Sequence, residues 1–368
     1  MTRTHGRTIE VESLAQFDGL IEAGATSMRG WRVQDVDLTE RTGALLALDP
    51  QGTLLLGCTV SHPADEHLRK GGALIFPEIT GVPFDPYRAS LYSPDELYDG
   101  LMQRRYESTP DAQCYAWSRG HRRDVAHTLA AALHDHAIDD ALEEALVDTS
   151  AVGVMGGHDL RRDEAAYRSA VGLGRLLARA GHHVVTGGGP GAMEAANLGA
   201  FVSAGREDLV DEVLHELAAV PDFRPSITHW ARAAFGVRTK VQTDGEGVQS
   251  LGIPTWFYGH EPPNLFATSI AKYFQNALRE DTLLRHCGAG IVFLPGAAGT
   301  AQEIFQDACE NFYSDAATVT PMVLVGVQHW THEVPAWPLL SKLAHGRAMQ
   351  GAVHLVDSVD EVVSRLRG

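Results

Sequence analysis

The chain has 368 residues with 47 acidic against 30 basic side chains, a formal net charge of −17, and is 44% hydrophobic and 21% charged. That composition belongs to a globular protein with room for two domains, and it shows no disorder or repeat class. The negative balance repels polyanions, which argues against extended nucleic acid or an anionic membrane as the partner, while a single small phosphate stays within reach of local dipoles. The amino terminus, MTRTHGRTIEVESLAQF, lacks an apolar signal region. No apolar stretch approaches the ~18 residues of a membrane helix, so a cytoplasmic protein is expected. Cys58, Cys114, Cys287 and Cys309 have no paired spacing for zinc or a redox dithiol and are read as buried reduced thiols.

Residues 1–148 read as a small α+β unit whose role the sequence does not state. The runs GALLALD, GTLLLGCTV and GALIFPEI alternate with Pro and Gly turns, and the proline-spaced GVPFDPYRASLYSPDELY follows. Its last helix, RDVAHTLAAALHDHAIDDALEEAL, carries His127, His134 and His136 with Asp135, Asp139 and Asp140. Histidines two apart on a helix face different sides, so no compact metal ligand set is expected.

From residue 149 to 368, short apolar runs alternate with helical patterns, the signature of a parallel α/β sheet. AVGVMGG is the first strand, with Gly156 in the turn that ends it. Residues 162–180 follow as an amphipathic helix closed by Gly181, then the strand HHVVTGG and a glycine turn, GGGPGAMEAANLGAFVSAG, opening a second helix. A polar helical insertion spans about 206–250. It either covers the sheet or forms a subunit contact, or else acts as a lid that brings Arg232, Arg238 or Lys240 towards a phosphate. Further strands are expected at 252–257, 290–294, 322–327 and 353–356, and a closing helix at 360–367. The fold class is therefore α/β, a Rossmann-like doubly wound parallel sheet with helices on both faces.

Residues 289–303, AGIVFLPGAAGTAQE, are the most informative stretch: a buried strand enters a glycine-rich turn and then a helix. Gly296, Ala297, Ala298 and Gly299 leave no bulk between backbone and ligand, and Thr300 is expected to cap the helix. Amides and dipole at that helix start hold a phosphate without lysine or arginine. Glu303 lies one turn in, facing the same mouth. Together with the 187–191 turn this gives two glycine mouths on one sheet, hence one ligand crevice.

These residues resemble the LOG family, the plant cytokinin-activating phosphoribohydrolases together with bacterial nucleotide 5′-monophosphate nucleosidases. GGGPGAMEAANLGA at 187–200 looks like the family's GGG-P-G-x-M-x-A segment, and PGAAGTAQE at 295–303 like its PGG-x-GT-x-x-E signature. Arg279 in YFQNALREDTLL falls where the family carries a catalytic arginine, although Glu280 replaces the second residue of the usual RK pair and Ala297 the second glycine of PGG. PMVLVGV and HLVDSVDEVVSRL look like the last two sheet units, so the resemblance runs from about residue 152 to the carboxyl terminus.

The resemblance implies hydrolysis of the N-glycosidic bond of a nucleoside 5′-monophosphate to free base and ribose 5-phosphate, with no metal or redox cofactor. It implies Glu303 and Arg279 as the catalytic pair. Gly296, Ala297, Ala298, Gly299 and Thr300 would hold the phosphate, and Gly188, Gly189, Gly191, Met193 and Glu194 the opposite wall. Gly156 and Lys272 join that set, with Asn264 and Thr268 near the arginine helix. Trp256, Phe257 and Tyr258 are open to two readings, base stacking or core. A homodimer or larger homo-oligomer is expected. The same fold also serves carriers of the molybdenum cofactor, where the phosphate loop needs no catalytic carboxylate; the presence of Glu303 favours the enzyme. The acidic balance tells against a single-strand DNA binder. The old lysine decarboxylase label needs a Schiff-base lysine that none of Lys70, Lys240, Lys272 and Lys342 supplies.

Overall fold

In a computed structural model of the chain, residues 4–5, 8–120, 124–205, 207–243, 247–258 and 261–367 are described. Two compact units divide the chain, one of Met1–Ser90 with His121–Ala141, the other of Leu91–Gly120 with Leu142–Gly368. The sequence reading kept residues 1–148 together, whereas Leu91–Gly120 packs with the larger unit.

The smaller unit is built from runs too short to read as strands by pattern. β1 (Thr4–His5) pairs antiparallel with β2 (Thr8–Val11), and β3 (Trp31–Gln34), β4 (Leu54–Leu56) and β5 (Leu74–Phe76) follow in parallel, in chain order. The pairs Ile9 with Trp31, Arg32 with Leu54, and Leu54 with Leu74 place neighbouring strands 22, 22 and 20 residues apart. One helix fills each interval: α1 (Leu14–Glu22), α2 (Thr42–Ala47) and α3 (His62–Lys70). Phe17, Leu45 and Leu68 from these helices share a single core with Val11, Val33 and Leu55 from the strands, which puts all three helices on one face. This is a repeat stack, which the sequence reading had not found. The chain then passes through α4 (Pro94–Leu97) and α5 (Pro110–Ser118) to α6 (Val125–Ala145). On the opposite sheet face Arg32 bridges Glu10 and Asp140 of α6, each at 2.5 Å.

In the larger unit β6 (Ala151–Met155) starts the sheet at its centre, and every residue of it is buried. α7 (Ala165–Arg179), β7 (His183–Thr186) and α8 (Ala192–Phe201) follow. α8 packs so closely on α7 that a Cβ on Gly174 would lie 2.0 Å from the Ala196 carbonyl oxygen, and one on Gly199 2.0 Å from that of Val171. The insertion forms α9 (Glu207–Ala218) and α10 (Ile227–Thr243). β8 (Leu251–Gly252), β9 (Ser269–Ile270) and α11 (Asn276–His286) lead to β10 (Gly290–Phe293) and α12 (Ala298–Tyr313). β11 (Met322–Val325), α13 (Ala336–Ala344) and β12 (Val353–Val356) complete the unit.

The sheet order is β12-β11-β10-β6-β7-β8-β9, parallel throughout, with helices on both faces as expected of a Rossmann-like fold. Three local differences have physical causes. The 252–257 strand is two residues long because Pro254 cannot donate to a ladder. The closing helix is two 3-10 turns, the first opened by a Ser358–Glu361 capping box. Cys309 lies exposed on α12 while the other three thiols are buried, contrary to the reading that buried all four.

Candidate functional site

From β6 the chain moves outward to β9 and then returns to lay β10 on the other side of β6. Loops leaving the carboxyl ends of β6 and β10 therefore diverge, and at such a switch point an open sheet has its crevice. A cavity of about 770 Å³ lies there. Its wall comes from the ends of four strands: Gly156–His158 after β6, Gly187 and Gly189 after β7, Pro254 and Thr255 after β8, and residues 295–300 after β10.

The β10 turn is held open by small residues and one contact. A Cβ on Gly296 would meet Thr300 Oγ1 at 2.2 Å, so this position takes no side chain. α12 begins earlier than the sequence suggested: Ala297, not Thr300, is its N-cap, and no side chain caps it. Thr300 is buried in the first turn instead, packed over Gly296. The amides of Ala298, Gly299 and Thr300 precede the first helical donor, the Ala301 N–H, which bonds Ala297 O, and so have no acceptor within the helix. These residues line the cavity, so the positive end of the α12 dipole lies beside it, an arrangement of backbone that can hold an anion. A Cβ on Gly299 would meet nothing within 4 Å, so here the missing side chain leaves room rather than relieving a clash.

One turn further, Glu303 lines the same cavity and accepts a hydrogen bond from Arg279 Nη1 at 3.1 Å. Arg279, on α11 and buried, is fixed by Nε to Ile253 O at 2.8 Å and by Nη2 to Gly187 O at 3.4 Å. Its guanidinium thus ties the glycine turn after β7 to the carboxylate on α12. Burial raises the Glu303 pKa above the ordinary glutamate value, and the adjacent Arg279 charge and hydrogen bond pull it back down. Glu280 does not pair with Arg279. It accepts from Asn276 at 2.6 Å and from Gln302 at 2.7 Å, forming a second link between α11 and α12.

Of the opposite wall, Gly156, Gly189 and Met193 line the cavity, as does Gly187, which the reading did not single out. Gly188 and Gly191 are turn-formers outside it, both with φ of +72°. A Cβ on Gly188 would strike Pro254, and one on Gly191 would lie 2.4 Å from Gly157 O. Glu194 is turned into the protein, paired with buried Arg162 at 2.5 Å, whose guanidinium also lies over the Trp230 ring. Lys272 is buried as well, 2.6 Å from Asp111, and reaches no part of the cavity. Asn264 binds the Gly189 carbonyl at 3.2 Å and so shapes the turn, while Thr268 holds Ser250 at the entry to β8, and neither lines the cavity. Trp256 is core, stacked on Phe274, while Tyr258 lines the cavity.

The lid reading of the insertion finds no support in its cations. Arg232 binds carbonyls of Leu101 and Arg104, Arg238 binds Leu265 O and Asp95, and Lys240 pairs with Glu212 and Glu216. Side chains the reading missed lie at the cavity instead: His158 and Glu261, 3.4 Å apart, and His329 beyond β11. Their signal was positional, since each follows the carboxyl end of a strand, but no motif marks them.

Residues 149–207, which run from β6 through the glycine turn and α8, match the model of the SLOG cluster4 family. That segment is SLOG-like; it holds Gly156 and the 187–191 turn and stops short of residues 295–303. No curated protein matches the chain. Similar solved structures include the molybdenum cofactor binding protein from the phototrophic bacterium Rippkaea orientalis, at 16% identity over 59% of this chain and 94% of that one with a TM-score of 0.36. Another is the Moco carrier protein from Chlamydomonas reinhardtii, at 19% identity over 59% and 94% with a TM-score of 0.35.

Proposed function

We propose that the protein hydrolyses the N-glycosidic bond of a nucleoside 5′-monophosphate, releasing the free base and ribose 5-phosphate. The observation that carries this reading is the Arg279–Glu303 pair at 3.1 Å, one helical turn from an uncapped α12 amino terminus in the same cavity. The volume of about 770 Å³ lies within the range of small-molecule sites. In this proposal the 5′-phosphate docks on the amides of Ala298, Gly299 and Thr300, and the ribose extends along the first turn towards Glu303. Cleavage of the C1′–N bond leaves oxocarbenium character on the ribose, which the Glu303 carboxylate stabilises while water adds its oxygen to C1′ and its proton goes to the departing base. Arg279 keeps the carboxylate ionised and aimed.

Release of free base and ribose 5-phosphate from a panel of nucleoside monophosphates tests this, with wild type beside Glu303→Gln. Turnover by wild type that falls by about 10²–10³ in the variant is the expected result. Binding without release from any nucleotide would replace the hydrolase with a non-catalytic nucleotide or cofactor carrier of the same fold.

A further inference from the structure

The phosphate loop contains no lysine or arginine from Pro295 to Glu303. A histidine reaches it from elsewhere. His329 lies just past β11, at the start of a single π turn, His329–Glu333, closed by Val334 N–H to His329 O at 2.8 Å. Trp330 anchors that turn: its ring is fully buried and its Nε1 donates to Val325 O at 3.0 Å. The π turn puts His329 and Glu333 on the same side, with Nδ1 2.9 Å from the Glu333 carboxylate. Nε2 then points at Gly296, 2.9 Å from its carbonyl oxygen and 3.3 Å from its amide nitrogen.

Both ring nitrogens are engaged. A carboxylate accepts only, so Nδ1 carries a hydrogen and donates it to Glu333. Nε2 faces both polar groups of the Gly296 backbone, its N–H at 3.3 Å and its carbonyl oxygen at 2.9 Å. The ring therefore ties the head of the loop to the turn beyond β11. The peptide that follows is planar and trans, so a fixed Gly296 O fixes the Ala297 N–H pointing the opposite way within the same plane. One side chain therefore holds the orientation of the turn.

We propose that His329, oriented by Glu333, is a positioning residue of the phosphate site: it locks the Gly296–Ala297 peptide, so that the amides of the turn hold a ligand bearing a phosphate in preference to the same ligand without one. The inference rests on the reading of this cavity as a phosphate site. Its effect falls on binding of phosphorylated ligands and leaves the bond-breaking step to Glu303 and Arg279.

The test compares wild type, His329→Ala, His329→Gln and Glu333→Gln, using calorimetric affinities for ribose 5-phosphate and for the matched nucleoside and nucleoside monophosphate pair. In His329→Ala, affinity for the phosphorylated ligands and 1/KM drop by about tenfold, with kcat and nucleoside affinity nearly unchanged. His329→Gln restores part of the loss, since a side-chain amide can also bond the Gly296 backbone. Glu333→Gln weakens phosphate binding, and adding it to His329→Ala has no further effect. An equal loss for nucleoside and monophosphate, or no loss for either, overturns the proposal while base release still supports the hydrolase. Wild type that binds neither ribose 5-phosphate nor any monophosphate overturns both.

Discussion

Glu303 is held by two opposed forces, and each leaves a measurable trace. Burial favours its neutral form and Arg279 its charged form, with burial the larger, so its pKa stands above the ordinary glutamate value. A carboxyl whose folded pKa is raised contributes its stability below the unfolded pKa and loses it as pH rises through the folded one. At neutral pH the ionised residue therefore costs folding energy, and Glu303→Gln removes that cost along with the carboxylate. Thermal melts should show wild type losing stability relative to Glu303→Gln as pH rises through the folded pKa, with that relative loss absent in acid, while base release is lost at every pH. The acid limb of kcat/KM should sit above the ordinary carboxylate range. Arg279→Gln takes away the charge that lowers the pKa, so that limb should move to higher pH; a limb unmoved in the variant would detach Arg279 from the titration of Glu303. That the two residues meet at one cavity was legible, because a motif fixed their place. Gly187 and His329 were not, because a carbonyl acceptor and an imidazole beyond a strand end have no signature of their own; only the closed sheet brings Gly187 O to Arg279 and His329 to Gly296.

At the scale of elements, α12 shows what pattern reading grasps and where it slips. The strand, glycine turn and helix were plain in residues 289–303, but the threonine was taken for a cap because threonine favours that position. In the fold three residues of AAGT, Ala298, Gly299 and Thr300, lie inside the helix, and the cap is Ala297, whose side chain bonds none of the first amides. The two glycines of the turn then serve opposite ends. Gly299→Ala should fold well and gain up to ~1 kcal/mol from helix propensity, since its methyl meets no atom within 4 Å, yet it puts that methyl among the amides proposed to hold the phosphate and should weaken ribose 5-phosphate binding. Gly296→Ala drives a methyl onto Thr300 at 2.2 Å and should lower both Tm and affinity. Melts and calorimetry on the two variants separate these effects; equal loss of Tm in both would show that the turn does not distinguish them. The repeat of the smaller unit stayed hidden for a related reason. Strands of three or four residues carry almost no period, and the 22, 22 and 20 residue spacing is visible only once the register is known.

For the molecule as a whole, the division of the chain turns on a buried polar knot that sequence patterns could not reveal. Asp111 of α5 accepts from Lys272 Nζ at 2.6 Å and from Trp256 Nε1 at 2.8 Å, and the Tyr106 hydroxyl donates to its other oxygen. Both charged side chains are 1% exposed. This knot fastens Leu91–Gly120 to the larger unit, even though the segment lies between the two stretches of the smaller one. It also places Lys272, which was expected at the ligand, in the interior. Removing one partner of a buried pair leaves the other charge unpaired, at a cost of about 3–5 kcal/mol, with the lower figure apt here because Trp256 and Tyr106 still donate to Asp111. Lys272→Met should therefore unfold at markedly lower denaturant and expose the amides of 91–120 to hydrogen exchange. Lys272→Met combined with Asp111→Leu should recover most of the loss, since no charge is then left buried. Below its melting range, Lys272→Met should keep the wild-type affinity for ribose 5-phosphate, because the side chain lines no part of the cavity. A variant of undiminished stability that no longer binds phosphate would return Lys272 to the site and undo the assignment of the knot as the fastening of this segment.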